Sequence, residues 1–146
     1  MRKFERNKNG DYYIKEKLSN GQTLYIEFQT EYREECCGFW VYLIVYKKRK
    51  HLLNDGLFCK STGDKLGIKT LLIAREIIIE FENFIKNIVT KKREEGLISK
   101  DLKYYIIVGW DNNRRRNVYE RGLKKYGYEY TYDDGYKHLK KKIEII

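Results

Sequence analysis

Proline is absent from this chain of 146 residues, and histidine and cysteine are rare. Without proline, glycine and Asn/Asp must supply the turns. Cys36, Cys37 and Cys59 form no CxxC pair, and His51 and His138 are far apart, which argues against a zinc site. In a strand, the adjacent cysteines would point to opposite faces, which suits neither a shared metal nor a disulfide. The sequence therefore predicts buried, reduced thiols and no metal.

Long apolar runs are also missing. The first ten residues, MRKFERNKNG, lack the apolar stretch of a signal peptide, and no later stretch is long enough to cross a bilayer. There is no internal repeat and no low-complexity linker. A chain of this length can bury one core, so we expect a single cytoplasmic domain over residues 1–146, with no membrane partner.

Positive charge and aromatic side chains are what the sequence has in excess. Lys and Arg number 31 against 21 Asp and Glu, which gives a net charge of +10, and 14 of the residues are tyrosine. This balance favours anionic partners such as nucleic acid or a phosphate-bearing cofactor. The same charge could serve solubility alone, and composition does not decide between these alternatives.

The hydrophobic pattern predicts four strands, a long helix, a strand, a shorter helix and a final hairpin. Period-two alternation or continuous apolar runs place the strands of an antiparallel meander at 12–18, 24–28, 38–46 and within 51–60. The run at 38–46 predicts a central strand covered on both faces. Helical spacing predicts a helix over about 64–92, followed by a buried strand at 104–110 and a helix over about 113–126. The long crossover makes one strand pair parallel, so the predicted class is α+β with a single mixed sheet.

Two glycines mark a possible anion site at the start of the long helix, in the stretch CKSTGDKLGIKTLLIARE. Free backbone N–H groups and the positive end of the helix dipole attract phosphate there, and glycine permits close approach. The candidate residues are Lys60, Ser61, Thr62, Gly63, Lys65 and Gly67. The alternative is that these glycines only let the chain turn and pack.

A second stretch, VGWDNNRRRNVYERGLKKYGY, follows the predicted buried strand. Three consecutive arginines, Arg114, Arg115 and Arg116, open its helix, where positive charge opposes the helix dipole unless an anion lies nearby. With Arg121 and Lys124 and the tyrosines beyond, this helix also fits a nucleic-acid footprint. A solvated helix face is the third interpretation.

The element order and these two stretches together resemble the acetyl-CoA-binding core of the GCN5-related N-acetyltransferase superfamily, over about residues 38–143. In that family, a meander leads through a phosphate-binding loop into a long helix. A parallel strand then splays away, followed by a helix and a hairpin. The resemblance implies an N-acetyltransferase that uses acetyl-CoA and an unidentified amine, with pyrophosphate on the loop at 60–68. It also implies pantetheine between residues 57–60 and 104–110.

The same resemblance implies roles for single residues. Asn112 or Asn113, Tyr119 and Gly127-Tyr128 echo the family pattern of Asn, Tyr and a closing Gly-aromatic pair. The family tyrosine donates a proton to the departing thiolate, so Tyr119 is the candidate general acid. It stands one turn before the usual position, which Leu123 occupies. The alternative function is a non-catalytic basic module on the same scaffold that binds nucleic acid or another macromolecule.

Overall fold

A computed structural model describes residues 2–46, 68–109, 113–133 and 135–145, without the side chains of residue 68, residues 113–117 and residue 133. The strands are β1 (Glu5–Arg6), β2 (Tyr12–Lys17), β3 (Thr23–Arg33), β4 (Cys36–Tyr46), β5 (Lys103–Val108), β6 (Glu129–Asp133) and β7 (Tyr136–Lys142). The helices are α1 (Ile68–Glu94) and α2 (Asn113–Leu123), and a 3-10 turn (Lys124–Tyr126) follows α2.

The seven strands form one sheet in the order β1-β2-β3-β4-β5-β7-β6. Only the β4–β5 pair among them is parallel. The predicted α+β class, the single mixed sheet and the central place of the strand at 38–46 are therefore confirmed. The long helix, the parallel strand after it and the closing hairpin are also confirmed. The strand predicted within 51–60 lies outside the described residues.

Both helices lie on the same face of the sheet. The chain passes from β4 through α1 to β5, and from β5 through α2 to β6, which runs parallel to β5 because each is antiparallel to β7. Such crossovers are right-handed in nearly all proteins, and two in the same direction place their helices together. The buried residues agree, since Val118 and Leu123 of α2 share one core with Ile77 of α1 and Phe39 of β4.

Aromatic rings fill the centre of that core. Phe81 of α1 stacks on Phe28 of β3, with centroids 3.7 Å apart and 9° between the planes. Phe4 and Phe39 meet Phe81 nearly edge-on, each with centroids 5.3 Å away. Apolar residues three or four apart in α1 lie on its sheet-facing side, and every second residue of β3 and β4 faces the helix. These two sets of side chains therefore pack against each other. This packing fixes the helix across the middle of the sheet.

Arg2 links the N-terminal segment to both the sheet and α1. Its guanidinium lies 3.2 Å from Glu16 of β2 and 3.0 Å from Glu76 of α1, and it also pairs with Glu80. Burial opposes the charge of Arg2, but the hydrogen bonds to these carboxylates outweigh burial and raise its pKa. Glu76 and Glu80 on the polar side of α1 are therefore paired with Arg2 and not only solvated.

Candidate functional site

The parallel strands β4 and β5 end at different levels of the sheet. Their paired residues run from Cys36 with Lys103 to Val41 with Val108, whereas β4 itself continues to Tyr46. Over those last five residues, about 16 Å of strand, β4 pairs with β3 but with no described strand on its other side. A crevice outside the carboxyl ends of parallel strands is where open mixed and parallel sheets bind ligands. We take the end of the parallel pair, beyond Val41 and Val108, as the candidate site and call it the crevice.

The amino ends of both helices lie at the same edge of the sheet. Each helix leaves from the carboxyl end of a parallel strand, and α2 begins four residues after Gly109. Within the described residues, neither helix has an acidic residue in its first turn that would neutralise the positive end of its dipole. The first turns of both helices therefore lie at this edge of the sheet, and the free backbone N–H groups of a helix start favour an anion.

Of the predicted cofactor-binding residues, only Asn113 is among the described residues, and it lies at this edge. Asn113 is the first residue of α2, and Arg114, Arg115 and Arg116 form its first turn. The remaining candidates, Lys60, Ser61, Thr62, Gly63, Lys65, Gly67 and Asn112, lie outside the described residues. In the sequence, Lys60 to Gly67 fall between β4 and α1, and Asn112 falls between β5 and α2.

Tyr119 lies inside the core beneath α2. Its side chain is 1% exposed, and Leu123, one turn further on, is fully buried on the same side of the helix. Arg75 of α1 holds this part of α2 by donating from Nη1 to the carbonyl of Val118 at 3.2 Å. In this position Tyr119 is a packing residue of the hydrophobic core. Proton donation by Tyr119 would require its hydroxyl to reach a thiolate in the crevice, and that role stays a prediction.

The Gly-Tyr pair that ends the second stretch has a structural role. Gly127, with φ 96°, closes the 3-10 turn in the left-handed conformation that glycine favours. Tyr128 is buried, and burial together with the nearby carboxylate of Glu82 raises its pKa well above the usual range. Lys141 of β7 lies 2.7 Å from Glu82 of α1, so the final hairpin is tied to the long helix.

Arg121 and Lys124 are exposed on the helix-covered side of the sheet. Lys124 lies 3.5 Å from Glu120 and 4.8 Å from the centre of the Tyr130 ring. Both residues could meet an extended partner, but neither is near the aromatic side chains of β4. Tyr130 is one of the tyrosines that the sequence pattern grouped with this helix, so nucleic-acid binding there stays a prediction.

Sequence reasoning missed a depression on the other face of the sheet, which we call the helix-free face because neither described helix packs on it. Its lining residues are Glu31, Arg33, Cys36, Gly38, Trp40, Tyr105, Ile107 and Lys140, around an open volume of about 390 Å³. The prediction that residues 38–46 are covered on both faces is wrong in part. Ile44 is buried on this face, but Trp40 and Tyr42 are only half-buried. Their i, i+2 spacing was the signal, and the continuous apolar run concealed it.

The two adjacent cysteines point to opposite faces, as predicted. Cys37 is 1% exposed in the core, Cys36 is half-buried at the depression, and both are free thiols. Burial raises the pKa of the Cys37 thiol to about 11. Cys59 lies outside the described residues. Cys37 is therefore a protonated packing residue at neutral pH, with little nucleophilic character.

We expect the ionisation of Cys37 to lower the free energy of unfolding at alkaline pH. The unfolded thiol loses its proton near pH 9, whereas the folded thiol keeps it to about pH 11. The native chain then binds more protons, so this contribution is complete below about pH 9 and is lost as pH rises to about 11, at up to about 1.4 kcal/mol per pH unit. Urea unfolding from pH 8 to 11 should show a shallower decline for Cys37→Ala than for Cys36→Ala. Equal declines in the two variants would contradict the assignment.

No protein-family model, curated protein or solved structure matches this chain. Within the described residues, no three His, Cys, Asp or Glu side chains are grouped so that they could hold a metal ion. No described helix is long and apolar enough to cross a membrane. Function must therefore be argued from the geometry of the chain itself.

Proposed function

We propose that this protein binds an acyl-CoA and is an N-acetyltransferase that transfers acetyl from acetyl-CoA to an amine. The observation that supports the proposal is that β4 continues past Val41 after β5 has ended at Val108, at the edge where α1 and α2 begin. A long, thin ligand with an anionic end and an amide-rich arm suits such a crevice.

The order of the elements supports the proposal. A meander, a long helix, a strand parallel to its neighbour, a helix and a hairpin follow one another in the described chain. This is the order that the resemblance to GCN5-related N-acetyltransferases implies. Since one scaffold can host several functions, the order supports the site and not the choice of acceptor.

Each part of acetyl-CoA has a chemical counterpart at this edge. The pyrophosphate would lie against the segment at 60–68 and the first turn of α1, where the dipole end is positive. The pantetheine amides would pair with the backbone of residues 42–46 of β4, as an added strand does at a sheet edge. Asn112, Asn113 and Tyr119 would be the groups nearest the thioester, with Tyr119 as the proposed proton donor.

Acetyl-CoA binding tests this proposal directly. We expect calorimetry to detect binding and the melting temperature to rise, since ligand at 100 times its Kd stabilises a fold by about 2.7 kcal/mol. Gly63→Glu or Gly67→Glu should abolish the rise, because a carboxylate would then face the pyrophosphate. Asn87→Glu, at an exposed position of α1, is the control and should leave the rise intact.

Two outcomes would reject parts of the proposal separately. If millimolar acetyl-CoA neither binds nor raises the melting temperature, the acyl-CoA site is wrong. If acetyl-CoA binds but Tyr119→Phe transfers acetyl to a panel of amines at the rate of the unaltered chain, the site stands and the general acid is a different group.

A further inference from the structure

The helix-free face presents three aromatic rings on its two central strands, Trp40 and Tyr42 of β4 and Tyr105 of β5. Gly38 is the partner of Tyr105 in the register and Ile107 is the partner of Trp40, so Trp40 and Tyr105 are diagonal neighbours. Tyr42 follows two residues along β4, about 6.6 Å from Trp40. All three side chains are half-buried. We call this row the aromatic row.

Hollows lie on both sides of Trp40. One, of about 390 Å³, is bounded by Tyr105 and Ile107, and the other, of about 650 Å³, by Tyr42 and Gln29. Gly38 keeps the first hollow open, since a Cβ added there would lie 3.0 Å from Cδ1 of Ile107. Flat, uncharged groups could therefore enter beside Trp40 and meet a ring on either side.

Cations border the aromatic row. Lys140 of β7 lies 4.7 Å from the centre of the Tyr105 ring, and Lys142 is the register partner of Tyr105. The nearby carboxylate of Glu31 is paired with Arg33. The hollows thus combine aromatic faces with positive charge on the β7 side, which complements a ligand made of flat rings joined by phosphates.

We propose that the helix-free face binds a single-stranded nucleic acid, with bases stacked on the aromatic row and phosphates beside Lys140 and Lys142. Open sheet faces with aromatic side chains on central strands bind unpaired bases in this way, and stacking needs no base pairing. Trp40 and Tyr105 lie at the paired part of β4 and β5, whereas Tyr42 is the first residue of β4 beyond it. The row is on the opposite face of the sheet from α2, and base stacking on it does not depend on the proposed acyl-CoA function.

The test follows the fluorescence of Trp40 in a Trp110→Phe background, since the chain has only these two tryptophans. We expect an unstructured oligothymidine of about 12 nucleotides to quench this emission. In fluorescence anisotropy with a labelled strand, Trp40→Leu and Tyr105→Leu should each weaken binding about ten-fold, whereas Trp40→Phe keeps the ring and should bind nearly as well. Melting curves check that each variant is folded.

The cations and two matched controls complete the test. Lys140→Gln and Lys142→Gln should each reduce the slope of log affinity against log salt by about 0.7. Tyr126→Ala and Lys91→Gln, exposed residues on the helix-covered side, should change neither affinity nor slope. The proposal is overturned if the strand does not bind at low salt, if duplex binds as well as single strand, or if the leucine variants bind like the parent. Loss of binding in Arg114→Gln alone would assign the nucleic acid to α2 instead.

Discussion

Phe81→Ala is expected to remove about 3 to 5 kcal/mol from the free energy of unfolding. Phe81 is fully buried, stacks on Phe28 and meets Phe4, Tyr12 and Phe39, so its removal leaves a cavity at the junction of α1 and the sheet. The surrounding rings are attached to separate strands and can collapse only partly. Since a domain is stable by about 5 to 15 kcal/mol, this loss would be a large part of the total.

Phe84 supplies the matched control for Phe81. It lies on the same helix, less than one turn away, and is only half-buried, although it also contacts Phe4 and Tyr12. Phe84→Ala should therefore cost clearly less than Phe81→Ala in urea unfolding monitored by circular dichroism. Equal losses in the two variants would contradict the central position of the Phe81–Phe28 stack in the core.

Glu82→Leu is expected to destabilise the fold by about 3 kcal/mol or more. Glu82 and Lys141 form an ion pair at 2.7 Å, and their side chains are only 8% and 17% exposed. Removing the carboxylate leaves the ammonium of Lys141 with much of its water removed and no counter-charge. The C-terminal hairpin, which this pair ties to α1, should become more open to hydrogen exchange.

The double variant Glu82→Leu/Lys141→Leu tests the reason for that loss. If the cost of the single variant is an unpaired buried charge, replacing both residues should recover most of the stability. Unfolding of the two single variants and the double variant gives the coupling energy of the pair. A double variant that is less stable than Glu82→Leu would show that the ion pair itself, and not the isolated ammonium, dominates.

Several elements could be predicted because their causes are local. Asn20 and Gly21 form the turn between β2 and β3, where the Gly21 φ of 86° is a conformation that glycine adopts easily. The helical spacing of Ile77, Phe81 and Ile85 depends only on the period of the helix and predicted α1 to within a few residues. The faces of Cys36 and Cys37 followed from strand alternation in the same way.

The existence of a parallel pair was predicted, but neither its register nor the strand that pairs with β5 was. The long crossover required a parallel pair, so the strand after α1 had to lie beside the meander. The register that ends at Val41 and Val108 depends on side chains from three strands and two helices, which no local pattern contains. The position of Tyr119 was uncertain for the same reason. Whether an aromatic on an amphipathic helix packs or reacts depends on what lies beneath it, and here that is the core.

The aromatic row shows most clearly what only the tertiary structure decided. The sequence determined that Gly38, Trp40 and Tyr42 lie on one face of a strand, because successive side chains alternate. It could not determine that neither described helix packs on this face, since the run at 38–46 is apolar throughout. That follows from topology: β4, β5 and β6 advance in one direction, so both right-handed crossovers place α1 and α2 on the same side. Local chemistry fixed the residues of each face, and the handedness of the crossovers decided which face the helices cover.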